Sequence, residues 1–143
     1  MILPDLNLLL YAYNPYVPHH GKAAAWWESA MNGEELIGLP HEITLGFVRI
    51  ATNPRLGSAA VSLERAREVV ETWLALPNSR VLIPGQDHFR KVMDLMERAM
   101  GLGALVSDAS LAIYAIEHRA TLCTNDSDFT RFPDLSWTNP LLC

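Results

Sequence analysis

Short apolar runs alternate along the chain with longer stretches whose apolar residues recur every three or four positions. The runs Ile2–Pro4, Leu36–Leu39, Arg80–Ile83, Thr121–Thr124 and Leu135–Thr138 are too short for helices. The first four lack the polar alternation of a half-exposed sheet, which predicts parallel strands covered on both faces. Between them, Ala23, Trp26, Trp27, Ala30 and Met31 share a helical stripe that Gly33 ends. Leu63, Ala66, Val69, Val70, Trp73 and Leu74 form a second stripe, and Phe89, Val92, Met93, Met96 and Met100 a third. Both tryptophan and methionine stripes are expected to face the core. Leu105–Ile116 is apolar nearly all round and should be the most buried helix, while Glu42–Thr52 is a helix stopped by Asn53-Pro54. The order β-α-α-β-α-α-β-α-α-β-β predicts an α/β three-layer sandwich, with a mostly parallel central sheet and helices on both faces. No repeat, low-complexity segment or linker interrupts it, so one domain is expected over residues 1–143.

Composition narrows the class. With 50% hydrophobic and 19% charged residues, disorder and coiled coil are excluded. No apolar stretch reaches the ~18 residues of a membrane span. The start, Met-Ile-Leu-Pro-Asp, lacks the basic region of a signal peptide. Cys123 and Cys143 make no disulfide framework. A cytoplasmic location without membrane contact is the expectation. Eleven Lys and Arg against sixteen Asp and Glu leave a formal charge of −5, which by itself argues against a nucleic-acid partner.

The placement of the acids weakens that objection. In open α/β sheets the ligand crevice lies outside the carboxyl ends of the strands. Asp5 follows the first predicted strand, Pro40-His41-Glu42 the second, and Asn125-Asp126-Ser127-Asp128 the fourth; Asp108 opens the buried helix. Each acid alone reads as a helix cap or first-turn residue, and Asp126 and Asp128 also as Asx-turns. Together they repel one another unless they hold protons or a cation. Lys22 and Lys91 are the only lysines, so a divalent metal is the simplest neutraliser. All-oxygen ligands suit Mg²⁺ or Mn²⁺ rather than Zn²⁺. His41-Glu42 begins like H-E-x-x-H, but Leu45 stands at the closing position. The remaining histidines, His19, His20, His88 and His118, read as surface or capping residues. With the quartet Asp5, Glu42, Asp108 and Asp126 set aside, twelve acids face eleven bases. A metal-loaded pocket in a nearly neutral body can engage a phosphodiester.

These residues carry a family resemblance. Asp5-Leu6-Asn7-Leu8-Leu9-Leu10-Tyr11-Ala12 resembles the opening of PIN domains, D-x-N-x-L-x-Y-A. Ser107-Asp108-Ala109-Ser110-Leu111-Ala112 and Thr124-Asn125-Asp126-Ser127-Asp128-Phe129 resemble that family's second half, with Asp126 placed 18 residues after Asp108. Glu42, ahead of Gly46-Phe47-Val48-Arg49 and Asn53-Pro54-Arg55, is similar to the glutamate helix of VapC-type bacterial toxins. Pro4 stands where an aliphatic residue is common. The resemblance covers residues 2–138 and implies a metal-dependent endoribonuclease, the toxin of a toxin–antitoxin pair. It implies Mg²⁺ or Mn²⁺ as cofactor, RNA as substrate, a homodimer, and a small antitoxin as partner. Asp5, Glu42, Asp108 and Asp126 match the catalytic and metal-binding quartet, Asn7 and Thr124 its supporting residues, and Asp128 an extra acid.

In such a site the metal orients a water and stabilises charge on the phosphoryl group, and a carboxylate left free, Glu42 or Asp126, accepts the water's proton. Arg49 lies on the stripe of Glu42 about 10 Å along the helix, and with Arg55 it is a candidate to hold flanking phosphates. An ion pair with a neighbouring acid is the other reading of Arg49. Two rivals share the placement of acids. A haloacid-dehalogenase-like phosphohydrolase needs D-x-D-x-T, but the chain reads Asp5-Leu6-Asn7-Leu8-Leu9. A catalytically inactive interaction module would not need all four acids. Adjacent positions on a helix differ by about 100°, so of Trp26 and Trp27 one should face the core and the other a partner surface.

Overall fold

The computed structural model describes residues 1–142; Cys143 lies outside them. Five strands, β1 (Ile2–Pro4), β2 (Ile37–Pro40), β3 (Ser79–Leu82), β4 (Thr121–Cys123) and β5 (Trp137–Thr138), form one sheet in the order β3-β2-β1-β4-β5. Every pairing is parallel. The helices are α1 (Leu6–Tyr13), α2 (His20–Asn32), α3 (His41–Ala51), α4 (Leu63–Leu74), α5 (His88–Arg98) and α6 (Leu105–Glu117). Successive strands step from β1 to β2 to β3 and then cross back to β4. Right-handed crossovers in opposite directions put α1–α4 and α5–α6 on opposite faces. The three-layer α/β sandwich expected from the alternation is the architecture found.

An aromatic knot holds the α1–α4 layer together. Trp73 of α4 meets Phe47 of α3 at 4.8 Å between ring centroids, Trp27 of α2 at 5.6 Å and Tyr13 of α1 at 5.7 Å. Its indole N–H donates to the Tyr13 hydroxyl at 2.9 Å, so the buried polar atom is satisfied. α6 buries Leu105, Ala109, Leu111, Ala112, Ile113, Tyr114 and Ala115, as its all-round apolar sequence requires.

Three expectations need correction. β3 is an edge strand with Arg80 and Val81 exposed, because no strand lies beyond it; it is not covered on both faces. The Met stripe is core-facing only in its middle: Val92 and Met96 are buried, whereas Phe89 and Met100 are exposed. Met100 lies past the helix end in a positive-φ turn, so helical periodicity no longer governs where it points. Leu63 and Leu74, at the two ends of α4, are likewise exposed. Of the adjacent tryptophans, Trp27 is buried and Trp26 is half-buried at the edge of the core.

Pro4 has a specific consequence. Ile2 N–H donates to Leu36 on the β2 side and Asp5 N–H to Cys123 on the β4 side. Alternation along the strand turns residue 4 toward β2, where proline has no N–H to give. β1 therefore pairs with β2 only at Ile2–Ile37 but with β4 through Pro4–Cys123. The two strands that deliver Asp5 and Glu42 are free to part at their carboxyl ends.

Candidate active site

At that edge lies a cleft of about 470 Å³, lined by Asp5, Asn7, Glu42, Arg49, Ser107 and Asp108 among others. It is bounded by α1, α3 and α6. Gly46 on α3 permits close approach to α1, since a Cβ there would stand 2.9 Å from Leu6 Cδ2. A second groove of about 270 Å³ beside Tyr11, Tyr13, Phe47 and Val61 is apolar and contains no carboxylate. The chemistry therefore belongs to the acidic cleft.

Asp5 sits at the N-cap of α1 but makes no capping bond. Its carboxylate is buried and accepts from the Thr124 hydroxyl at 2.8 Å. Burial pushes its pKa up, opposed by the Thr124 hydroxyl and the Leu6 N–H, with Asp126 pushing up further. Asp108, in the first turn of α6, is half-buried and raised to about 6, first by burial and then by the charges of Asp5, Asp126 and Asp128. Oxygens of Asp108, Asp126 and Asp128 lie within 4.8 Å of one another. Of these acids Asp126 makes a capping bond, its Oδ1 accepting from Asp128 N–H at 2.8 Å to open a short 3₁₀ turn, while Asp108 and Glu42 are first-turn residues of their helices.

Glu42 is exposed in the first turn of α3 and faces the same cleft without joining that tight group. Ser110 Oγ donates to its Oε1 at 3.1 Å. Burial and the neighbouring Glu42 charge push the Tyr114 hydroxyl up to about 12. Asn7 and Arg49 are exposed in the cleft wall, and Arg49 makes no ion pair among the described residues. Arg55 is different. It lies on the 3₁₀ turn Pro54–Ala59 and is not among the residues that line the cleft.

Sequence reasoning missed His88. Far from being a surface or capping group, it is half-buried with Nε2 2.8 Å from Ser110 Oγ. The signal was available, because His88 begins the helix after β3 and the carboxyl ends of β1, β2 and β4 supply the other site residues.

The cluster's donors are all carboxylate oxygens, from half-buried or exposed side chains, beside a buried Asp5 whose pKa burial pushes up. That donor set fits a hard divalent cation bound by Asp108, Asp126, Asp128 and Asp5.

A parallel sheet in this order, with aspartates gathered at the end of β1, on α6 and at the end of β4, defines an α/β protein built around an acidic cluster. The PIN domain pattern matches residues 2–135, and the chain belongs to the PIN domain family. It is 41% identical over 141 residues to a protein named Ribonuclease VapC33 from Mycobacterium tuberculosis, covering 99% of each chain. Among solved structures it resembles Mycobacterium tuberculosis VapC20, described as a toxin that cleaves the sarcin–ricin loop. That match has a TM-score of 0.70 and 14% identity, over 95% of this chain and 99% of the other. It also resembles the VapBC2 structure from Rickettsia felis bound to a promoter DNA fragment. There the TM-score is 0.67 at 19% identity, over 97% of this chain and 98% of the other. At those identities the likeness supports the fold alone.

Proposed function

We propose that this chain is a metal-dependent endoribonuclease, the toxin of a toxin–antitoxin pair, which hydrolyses RNA phosphodiester bonds in the acidic cleft. The observation that carries this reading is the meeting of Asp108, Asp126 and Asp128 within 4.8 Å beside the buried Asp5. Relatives named ribonucleases along nearly the full chain support RNA as substrate. Solved toxin–antitoxin complexes of the same fold support a small antitoxin protein as partner. The chain acts as one nuclease domain and as a homodimer. Among the described residues no helix is long and apolar enough to cross a membrane, and a cytoplasmic site of action suits an RNA substrate.

Mg²⁺ or Mn²⁺, when bound, neutralises the aspartates and stabilises charge building on the phosphoryl oxygens. The chain supplies the rest. Thr124 fixes the Asp5 carboxylate. Glu42 accepts the proton of a water as its oxygen bonds to phosphorus, and the bond to the bridging oxygen breaks, that oxygen taking a proton from solvent. Arg49 holds a phosphate of the bound strand, a use consistent with its having no acidic partner among the described residues.

A substrate panel tests the reaction class. Single-stranded RNA should be cut internally, while p-nitrophenyl phosphate stays intact under the same conditions. Hydrolysis of the monoester with RNA untouched would favour the dehalogenase-like phosphohydrolase. Inertness toward both, with the metal bound, would favour an interaction module.

A further inference from the structure

Glu42 is a long, exposed side chain with much rotamer freedom to lose, yet its carboxylate accepts a hydrogen bond from α6, and the donor is itself bonded to α5. Ser110 of α6 donates to Oε1 at 3.1 Å, and His88 at the start of α5 places Nε2 2.8 Å from the same serine oxygen. A hydroxyl has one proton to give. With that proton on the carboxylate, His88 must donate from Nε2, which leaves Nδ1 a bare lone pair. Nδ1 is indeed buried without a partner among the described residues, and unpaired buried N–H groups are rarer than unpaired acceptors. The His88 ring packs on Tyr114, centroids 4.7 Å apart, so the imidazole is held from its face as well as its edge. Ser110 and Tyr114, four residues apart on α6, present one face to both His88 and Glu42.

We propose that His88 and Ser110 are positioning residues: His88 orients the Ser110 hydroxyl, and the hydroxyl holds the Glu42 carboxylate at the cleft. This rests on the reading of Glu42 as the group that accepts the water's proton. His88 is neither a member of the aspartate cluster nor one of the residues that line the acidic cleft. Its effect should therefore fall on turnover and leave cation and RNA binding alone.

The test is steady-state cleavage of a defined RNA oligonucleotide with Mn²⁺, paired with calorimetric titration of Mn²⁺ alone. Ser110→Ala and His88→Ala should each lower kcat about tenfold or more, the scale seen when a supporting hydrogen bond is lost. KM and Mn²⁺ affinity should stay within about twofold of wild type. Ser110→Thr keeps a hydroxyl, and His88→Gln keeps an N–H donor at similar reach; both should recover most of the lost kcat. Wild-type kcat in both alanine variants, with Glu42→Gln inactive, overturns the positioning role and leaves Glu42 in place. Equal losses in Ser110→Thr and Ser110→Ala, or a joint fall of kcat, Mn²⁺ affinity and melting temperature, overturn it in favour of a packing role. Wild-type turnover by Glu42→Gln overturns the role of Glu42 and the proposal together.

Discussion

The Thr124 hydroxyl donates to Asp5 Oδ2 at 2.8 Å and accepts from the Asp126 N–H at 3.0 Å. One fully buried threonine thus ties the carboxylate after β1 to the backbone after β4. Thr124→Val keeps the shape and removes both bonds. It should cost about 1–3 kcal/mol of stability, because buried polar groups lose their partner. Asp5 loses a bond that favours its ionised form against the effect of burial, so Mn²⁺ affinity should fall roughly 10–100-fold. Thermal melts and calorimetric titration check the two effects separately.

The raised carboxylates give the metal-free protein an unusual pH dependence. Asp108 titrates near 6 in the folded chain, and Asp5 also lies above its ordinary value. A raised acid stabilises the fold by keeping its proton. That contribution is complete below the unfolded value of about 4 and is lost as pH climbs through about 6. Without metal, melting temperature should decline across that window, and Asp108→Asn should flatten the decline. Mn²⁺ binds ionised carboxylates of the folded chain, so its stabilising shift should be larger at pH 8 than at pH 5. Equal shifts at both pH values would separate the acids from any shared cation.

Arg49 lines the cleft without an ion pair among the described residues. Arg49→Ala should raise KM for RNA about tenfold, or roughly 1.4 kcal/mol, with kcat little changed, as expected when binding common to ground and transition states is removed. Arg55→Ala, outside the cleft lining, should leave KM near wild type.

The adjacent tryptophans should separate by role. Trp27 is 1% exposed and packs edge-on against Trp73, so Trp27→Ala should cost about 3–5 kcal/mol. Trp26 is half-buried beside Ile2, Gly33, Glu34 and Glu35. Trp26→Ala should spare the fold and weaken association with a second copy or the antitoxin, read by light scattering and calorimetry. Unchanged association in both assays would place Trp26 outside any interface.

What can be read from the chain follows from how local each signal is. The acids are legible because strand ends are marked by apolar runs, and a carboxylate just beyond one has few places to go. Their convergence holds for Asp5, Asp108, Asp126 and Asp128, with Glu42 on the facing wall. Spacing along the chain points to mutual repulsion as the force on their titration, yet burial is the largest cause for both Asp5 and Asp108. Depth within a fold is a property of packing, invisible to spacing along the chain. The same reason hides His88, whose partners lie on α6, and the exposure of β3, which depends on which strand ends the sheet. Arg55 falls away from the cleft because the helix containing Arg49 stops at Ala51, and the chain then turns aside.

If carboxylates gathered at the sheet edge cut RNA through a bound cation, three conditions must separate cleanly. They are cleavage of RNA by the purified chain in Mn²⁺, in excess EDTA, and in Mn²⁺ with Asp108→Asn. Cleavage in the first condition alone, with Asp108→Asn still folded, is the expected result. Undiminished cleavage in EDTA, or by Asp108→Asn in Mn²⁺, would remove the cation and its aspartates from the reaction.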